Sequence, residues 1–538
     1  MATVQRKTPG VYISEPDSFP PAIVGVETAI PAFIGFTEIA QDKSKSLKRV
    51  PTRIRSMAEY ISKFGRWFQE TFYLTTEDVP ASDHSIARIT LFPGAKSYNL
   101  AEEGKLNFNL YNSLQLFYAN GGGTCYIVSC DTYEGLRADP SQATDSLKAG
   151  LDAVRDEMGP TMLVVPDAML LNKDTDAYEV AVYMLQQCQA KQDRVALLDV
   201  YGTSAVPATD NTTELEATIT AFRVGLAGAQ QEALRYGIAY FPNLQTSMVS
   251  PGEVKIDCFG TGDKPKALKE ALTASVDAAY PAGDPRAARI KDYIDQIGLS
   301  IADTDDTKIT PLSKRKITHG ELTQALLANV PALGDIFHHV ANTQNILPPS
   351  PAMAGIYTAV DSSRGVWNAP ANVGIALLVE PTATISDKQQ EDLNVPTGGK
   401  AVNAIRTFPS RGPLVWGART LDSTSNDWKY IQVRRTMIYV EQSIKTALNS
   451  FVFAPNTATT WTTVVSMIGS FLHGLWASGG LMGSTPAEAY SVKCGLGSTM
   501  TPDDVLNGTM TVHVVVQMVH PAEFIELVFK QQMLGGAA

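Results

Sequence analysis

Between residues 109 and 241, short apolar runs alternate with helical stretches, and few folds accept that pattern. Leu110 to Tyr118 reads as a helix closed by Gly121-Gly122-Gly123, and CYIVS follows as a strand. A helix near Leu147 to Glu157 precedes the strand TMLVVP, and a helix near Tyr178 to Gln192 precedes RVALLDV. A last helix near Leu215 to Leu226 leads into GIAYF. Strands of near-continuous apolar character joined by helices of about 10–15 residues require βα crossovers and a largely parallel sheet covered on both faces. Ala32-Phe33-Ile34-Gly35-Phe36 is a further strand candidate. The helical stretches KALKEALTASVDAAY and GELTQALLANV, within 242–345, read as the remainder of this α/β domain.

After Leu347-Pro348-Pro349 the texture changes. Met437, Val440, Ile444, Leu448 and Phe451 recur at three- and four-residue steps and so share one helical face. Trp461, Val464, Ile468, Phe471, Leu472 and Leu475 do the same in the next helix, which Gly479-Gly480 ends. The short APNTATT connection suits two antiparallel helices. Thr485-Pro486-Ala487-Glu488 has the spacing of a capping box with proline at the first helical position. Met510, Val512, Val514, Val516 and Met518 alternate along one strand face, with His513 on the other, until Pro521 stops the strand. These elements predict a second, α+β domain.

Both ends of the chain are strands in search of a sheet. Ile525, Leu527 and Phe529 alternate with Glu526, Val528 and Lys530 just beyond Pro521. Val11-Tyr12-Ile13 lies between Thr8-Pro9-Gly10 and Pro16, which forbids a helix. Such strands either pair within their own subunit or add to the open sheet edge of a neighbour.

The chemistry-bearing motifs fail one by one. In Gly398-Gly399-Lys400 the first P-loop glycine is replaced by Asn394 and the Mg-binding hydroxyl by Ala401. Gly260-Thr261-Gly262-Asp263-Lys264 lacks the hydroxyl as well. Asp303-Thr304-Asp305-Asp306 opens like a calcium loop, but Lys308 and Lys314 stand where the turn glycine and the bidentate glutamate belong. His338 and His339 are adjacent and diverge on any regular element. No catalytic residue, metal ligand or cofactor is therefore expected; the alternative is an α/β hydrolase or nucleotide-binding enzyme built on 109–241. The net charge of −11 argues against nucleic acid and anionic membrane surfaces as partners. No apolar run approaches the ~20 residues a bilayer needs, so direct membrane insertion is not expected. Five scattered cysteines, Cys125, Cys130, Cys188, Cys258 and Cys494, without CxxC spacing, read as buried thiols of a reducing compartment. The N-terminus has no apolar stretch of the secretory type, so assembly in the cytoplasm is expected.

Several stretches together resemble the contractile tail sheath family of phages, pyocins and extracellular injection systems. They are TPGVYISEPDSFPPAIVGVETAIPAFIGFTE near the N-terminus, then LPPSPAMAGIYTAVDSSRGVWNAPAN, RTFPSRGPLVWGARTL, WKYIQVRRTMIYVEQSIKTAL, FVFAPNTATTW, GGLMGSTPAEAYSVKCG, TPDDVLNG and PAEFIEL. The resemblance implies an N-terminal extended arm (1–24), an outer α/β domain (25–345), an α+β tube-facing domain (346–520) and a C-terminal strand arm (521–538). It implies hexameric rings stacked as a helical homo-oligomer around an inner tube protein, with baseplate and cap or terminator proteins at the ends, within a phage-tail-like particle. Residues Val11, Tyr12, Ile13, Phe524, Ile525, Leu527 and Phe529 are then the inter-subunit strands. Arg434 and Arg435, opening an amphipathic helix, either contact a tube or neighbouring subunit, as Lys445 further along would, or brace the fold. As cations at a helix start they should find a carboxylate. The shorter sheath of a type VI secretion apparatus is split between two chains, and one long chain speaks against it.

Overall fold

The computed structural model describes residues 22–80, 84–104, 108–171, 174–202, 212–262, 264–299 and 317–526. Val11–Ile13, Leu527, Phe529, Asp263 and the Asp303–Asp306 loop lie outside the described residues. The chain divides into two compact units: a small one of Met1–Val26 with Tyr439–His520, and a large one of Glu27–Ile438 with Pro521–Ala538.

Eight strands form the main sheet of the large unit: β1 (Pro31–Thr37), β2 (Thr52–Ile54), β3 (Cys125–Thr132), β4 (Met162–Val164), β5 (Val195–Asp199), β6 (Gly237–Phe241), β7 (Val402–Phe408) and β8 (Gly412–Trp416). Their order is β8-β7-β6-β5-β4-β1-β3-β2. The six inner strands run parallel, and the two edge strands, β8 and β2, pair antiparallel. The helices α1 (Leu110–Ala119), α2 (Ala143–Val154), α3 (Asp174–Lys191), α4 (Thr212–Gly225) and α5 (Ser350–Arg364) supply the crossovers and covering layers.

Adjacent residues of β1 show that both faces are covered. Phe33 meets Phe117 of α1 edge to face, with ring centroids 5.1 Å apart. Ile34, pointing the opposite way, lies against Gly150 of α2, where an added Cβ would stand 2.7 Å from its methyl. That is why the strands read as unbroken apolar runs.

Two expectations need correction. The helices Lys266–Ala279, Pro285–Asp295, His319–Asn329 and Pro331–Gln344 do not cover the main sheet. With an antiparallel sheet of Phe72–Thr75, Ser97–Glu102 and His84–Thr90, they enclose a separate core around Phe72, Leu100, Leu272 and Ile336. The boundary drawn at 345/346 also fails as a division of the fold. Residues 402–416 return to the main sheet, where β7 pairs with β6, and the units part instead between Ile438 and Tyr439.

The C-terminal ends of the parallel strands are closed by two buried carboxylates. Asp167, just after β4, accepts hydrogen bonds from the N–H of Phe36 (2.7 Å) on one oxygen and of Asn109 (2.7 Å) and Leu110 (3.1 Å) on the other. Gly35 makes room, since a Cβ there would stand 2.4 Å from the carboxylate. Asp199, ending β5, accepts from the Ser350 N–H (2.8 Å) and hydroxyl (2.6 Å) at the start of α5. Burial pushes both carboxyls up to about 7, against the pull of these donors. Desolvation and the nearby charge of Glu102 move the half-buried Glu70 in the same direction.

A raised carboxyl stabilises the fold fully below its unfolded pKa, and that contribution is lost as pH rises through the folded value. The denaturant midpoint of the large unit is therefore expected to fall between pH 5 and 7 by this component. Asp199→Asn should flatten the slope while keeping the pH 5 midpoint, because the Ser350 hydroxyl can accept from the new amide. Asp167→Asn has no such escape, since both oxygens face N–H donors, and should cost about 1–3 kcal/mol at any pH. Denaturation at pH 5, 6 and 7 checks both.

Candidate assembly interface

The small unit is built on the helix α6 (Ile431–Leu448), which enters it from the large unit, and on α7 (Ala458–Ala477). Val440 and Ile444 of α6, and Val464, Ile468, Leu472 and Leu475 of α7, are buried as their spacing predicts. Gly479 takes φ +81° after α7, a value suited to glycine. The Val26 N–H donates to Ser443 Oγ (3.1 Å), and Gly25 leaves space for the Tyr439 ring, so the first described residues run along α6. They belong with the small unit, not with the α/β domain to which residues from 25 onward were assigned.

The rest of the small unit carries one antiparallel ribbon, β9 (Tyr490–Lys493) and β10 (His513–Val516). The alternating strand is shorter than 510–518 suggests, but its facing holds: Val514 and Val516 are half-buried, while His513 and Val515 are exposed. The one-turn helix Pro486–Ala489 lacks the expected Thr485 cap; the Glu488 carboxylate accepts instead from the Ser484 N–H at 2.9 Å.

Antiparallel alternation fixes which backbone groups are used. The Gln517 N–H reaches the Ala489 carbonyl (2.8 Å), so Ser491/Val515 and Lys493/His513 are the hydrogen-bonded pairs. The N–H and C=O of Tyr490 and Val492 on one edge, and of Val514 and Val516 on the other, point away from the ribbon. Among the described residues no third strand pairs with either edge. A two-stranded ribbon is marginal by itself and gains from further strands.

Apolar side chains stand in solvent on the same unit. Phe453, in the turn between α6 and α7, is 101% exposed and has a left-handed φ of +68°, rare for an aromatic residue. Asn456 ties that turn to the Thr509 carbonyl (3.1 Å), close in sequence to exposed Leu506. Val452, Met482, Leu496 and Val515 are exposed too.

The expected contact residues fare differently. Phe524 and Ile525 are exposed but form no strand. Lys445 is exposed in the last turn of α6. Arg434 and Arg435 are not surface contacts: both are buried and brace the large unit. Arg435 makes a bidentate pair with Asp361 (2.9 and 2.5 Å), the carboxylate its position at a helix start requires, and lies over the Tyr357 ring at 4.5 Å. Tyr357 shares a 2.7 Å hydrogen bond with Tyr240 of β6. Arg434 stacks on Trp428 (4.4 Å) and Tyr236 (5.0 Å). Glu523, which received no role from the sequence, accepts from Arg419, Asn394 and Tyr430.

Residues 423–532 match the family model of the phage tail sheath C-terminal domain. The matched stretch takes in the helix pair, the open ribbon and the Glu523 segment. No curated protein matches the sequence. Among solved structures, the chain is similar to a chain of the anti-feeding prophage helical sheath in its contracted state, at 25% identity over 98% of this chain and 100% of that one, with a TM-score of 0.56. A chain of the contracted sheath complex of the extracellular contractile injection system PVC shares its fold at 24% identity, over 98% and 99% of the two chains, with a TM-score of 0.56. So does a chain of the contracted anti-feeding prophage baseplate, at 20% identity over 98% and 97%, with a TM-score of 0.58. No helix among the described residues is long and apolar enough to cross a membrane.

Proposed function

We propose that this chain is the sheath subunit of a phage-tail-like contractile injection system, a structural polymer and not an enzyme. The observation that carries the reading is the β9–β10 ribbon, with its two edges of outward-facing backbone groups, on a unit rich in exposed apolar side chains. Strands contributed by adjoining subunits, from residues around Val11–Ile13 and Phe524–Phe529, complete the ribbon and lace the lattice. Subunits stack as six-membered rings around an inner tube, which residues of the C-terminal domain face. Baseplate and cap proteins close the ends. Assembly takes place in the cytoplasm before the particle is complete, and Lys445 is a candidate tube or subunit contact.

Contraction then draws on contacts better made in the contracted lattice than in the extended one, since only a difference between states drives a transition. Rigid-body rotation of subunits suits a large unit tied across its sheet by buried pairs.

The enzyme reading loses its site to the protein's own side chains. Connections leave β1 and β4 in opposite directions, and the crevice beyond their C-terminal ends is where open α/β sheets hold ligands. Asp167 fills that place and occupies the α1 N-terminus, where a phosphate would otherwise bind.

Val492→Pro tests the edge directly. It removes one outward N–H from an edge strand, where proline is tolerated within the subunit. The expected outcome is folded, soluble subunits that form no tubes in negative-stain micrographs, while Val492→Thr assembles. Normal tubes from Val492→Pro would refute strand addition at β9.

A further inference from the structure

We propose that a basic strip along the β2 edge of the main sheet docks on the acidic helices α2 and α3 of a second copy of this chain. The proposal deepens the polymer reading by naming a further contact between copies, and rests on that reading only for its consequence in tubes.

Residues 43–66 hold eight lysines and arginines against one acid, Glu59, in a chain whose net charge is −11. The backbone fixes the first half of this stretch along the sheet edge. Gln41–Asp42 pairs with Lys45–Ser46 as a small hairpin, and the buried Leu47 that follows donates its N–H to the Ala40 carbonyl (2.9 Å). The Arg49 N–H donates to the Ser129 carbonyl of β3 (2.8 Å), and β2 then pairs with β3. Lys43 and Arg49 hold left-handed φ values of +55° and +57°, uncommon for residues other than glycine.

Two of the cations are used within the chain: Lys48 meets Asp131 at 2.7 Å and Arg53 meets Glu27 at 3.0 Å. Lys43, Lys45, Arg49 and Arg55 are exposed, and among the described residues their side chains form no hydrogen bond or ion pair. Guarding an open edge accounts for Arg53, which lies on β2, but not for Lys43, Lys45 and Arg49, which lie off it. Cations carried on a backbone already in place need less ordering when a partner arrives.

The complement lies on the same large unit. On α2 and α3 the cations are consumed internally: Lys148 pairs with Glu179, Arg155 with Asp152 and Lys191 with Asp156. Asp145, in the first turn of α2, and Asp174 and Asp176, in the first turn of α3, have no cation partner among the described residues. Both helices cross from the end of one parallel strand to the start of the next, so these first turns share one end of the sheet. Surfaces of opposite potential steer encounter and fix register. A nucleic acid would meet the negative remainder of the chain beside the strip, whereas a second copy presents the matching sign. Strip and acidic helices are different surfaces, so the contact is heterologous. Each copy keeps one of each free, and association propagates instead of stopping at a dimer.

Two full-length charge-reversed proteins test this. The strip variant is Lys43→Asp, Lys45→Glu, Arg49→Asp and Arg55→Glu, with aspartate where φ is positive because it tolerates that region. The helix variant is Asp145→Lys, Asp176→Lys and Glu179→Lys. By sedimentation, self-association of the parent in about 0.05 M salt should weaken about tenfold or more in about 0.5 M salt. Each variant alone, with parental circular dichroism, should associate about tenfold or more weakly than the parent at low salt. Their equimolar mixture should recover parental association, since every strip then finds an opposite face. Should a reversal prevent folding, the neutral pairs Lys45→Gln with Arg55→Gln, and Asp145→Asn with Glu179→Gln, should each lose most of the salt dependence. A parent that stays monomeric at low salt, parental association by either variant alone, or a mixture no stronger than its parts overturns the contact. So does a DNA duplex that binds the parent and not the strip variant while the mixture fails to recover. Absence of tubes from the parent would count against the sheath reading, while recovery in the mixture would still uphold this contact.

Discussion

Replacing Arg435 with alanine is expected to destabilise the large unit by roughly 3–5 kcal/mol, the usual loss when one partner of a buried ion pair is removed. Arg435 and Asp361 are each only 5% exposed, and both guanidinium nitrogens that face the carboxylate are used. Alanine would strand the Asp361 charge, remove the cation over Tyr357 and leave a void beside the Tyr240–Tyr357 pair. Asp361→Ala should cost a similar amount for the reciprocal reason. Arg435→Met with Asp361→Leu should recover most of the loss, because a buried pair is worth little against well-packed apolar residues. Lysine at 435 would fall between, keeping charge but losing the bidentate geometry. Equilibrium unfolding of the four variants checks the series. An Arg435→Ala protein as stable as the parent would mean that the pair does not brace the fold.

The second large effect concerns assembly. Chains ending at Glu526 should fold with unaltered circular dichroism and unfolding midpoint, yet yield no tubes by negative-stain microscopy. Each strand added to an open edge contributes several backbone hydrogen bonds worth about 1 kcal/mol net apiece, besides apolar burial. Losing that from every subunit of a polymer removes the lattice. Added peptide spanning 521–538 should bind the truncated subunit, and a Val492→Pro background should weaken that binding if β9 is the edge it joins.

How much of this was legible depends on where the signal lay. The βα alternation is a local property, and the strands and helices between Leu110 and Phe241 stand within a few residues of where their patterns put them. So do α6 and α7, whose apolar steps are internal to each helix. What escaped is non-local. The change at Leu347-Pro348-Pro349 marks the start of α5, a real boundary of one element, but nothing near it announces that Val402–Phe408 will pair with Gly237–Phe241. The strands at 72–102 are short, and the helices that cover their apolar face come only after residue 266.

Charges left a choice that the sequence could not make. Arg434 and Arg435 look exposed until Trp428 and Asp361 are placed beside them. Glu523 looks like any polar position of an alternating strand until Arg419, more than one hundred residues earlier, is seen to receive it. A helix-opening pair of cations did carry a usable hint, since it demanded a carboxylate. Sequence alone could not say which one.

On the strand-addition reading, a ribbon open to outside strands must also refuse the wrong ones. Each edge of β9–β10 is four residues long, and its outer face carries Ser491, Lys493 and His513 beside a single exposed valine, Val515. Short, partly charged edges are poor templates for promiscuous pairing. A producing cell can thus hold such subunits at high concentration without precipitating them. Growth is then expected to depend on a template that presents matching strands in the right order, so that initiation, and not elongation, decides when and where a tube is built.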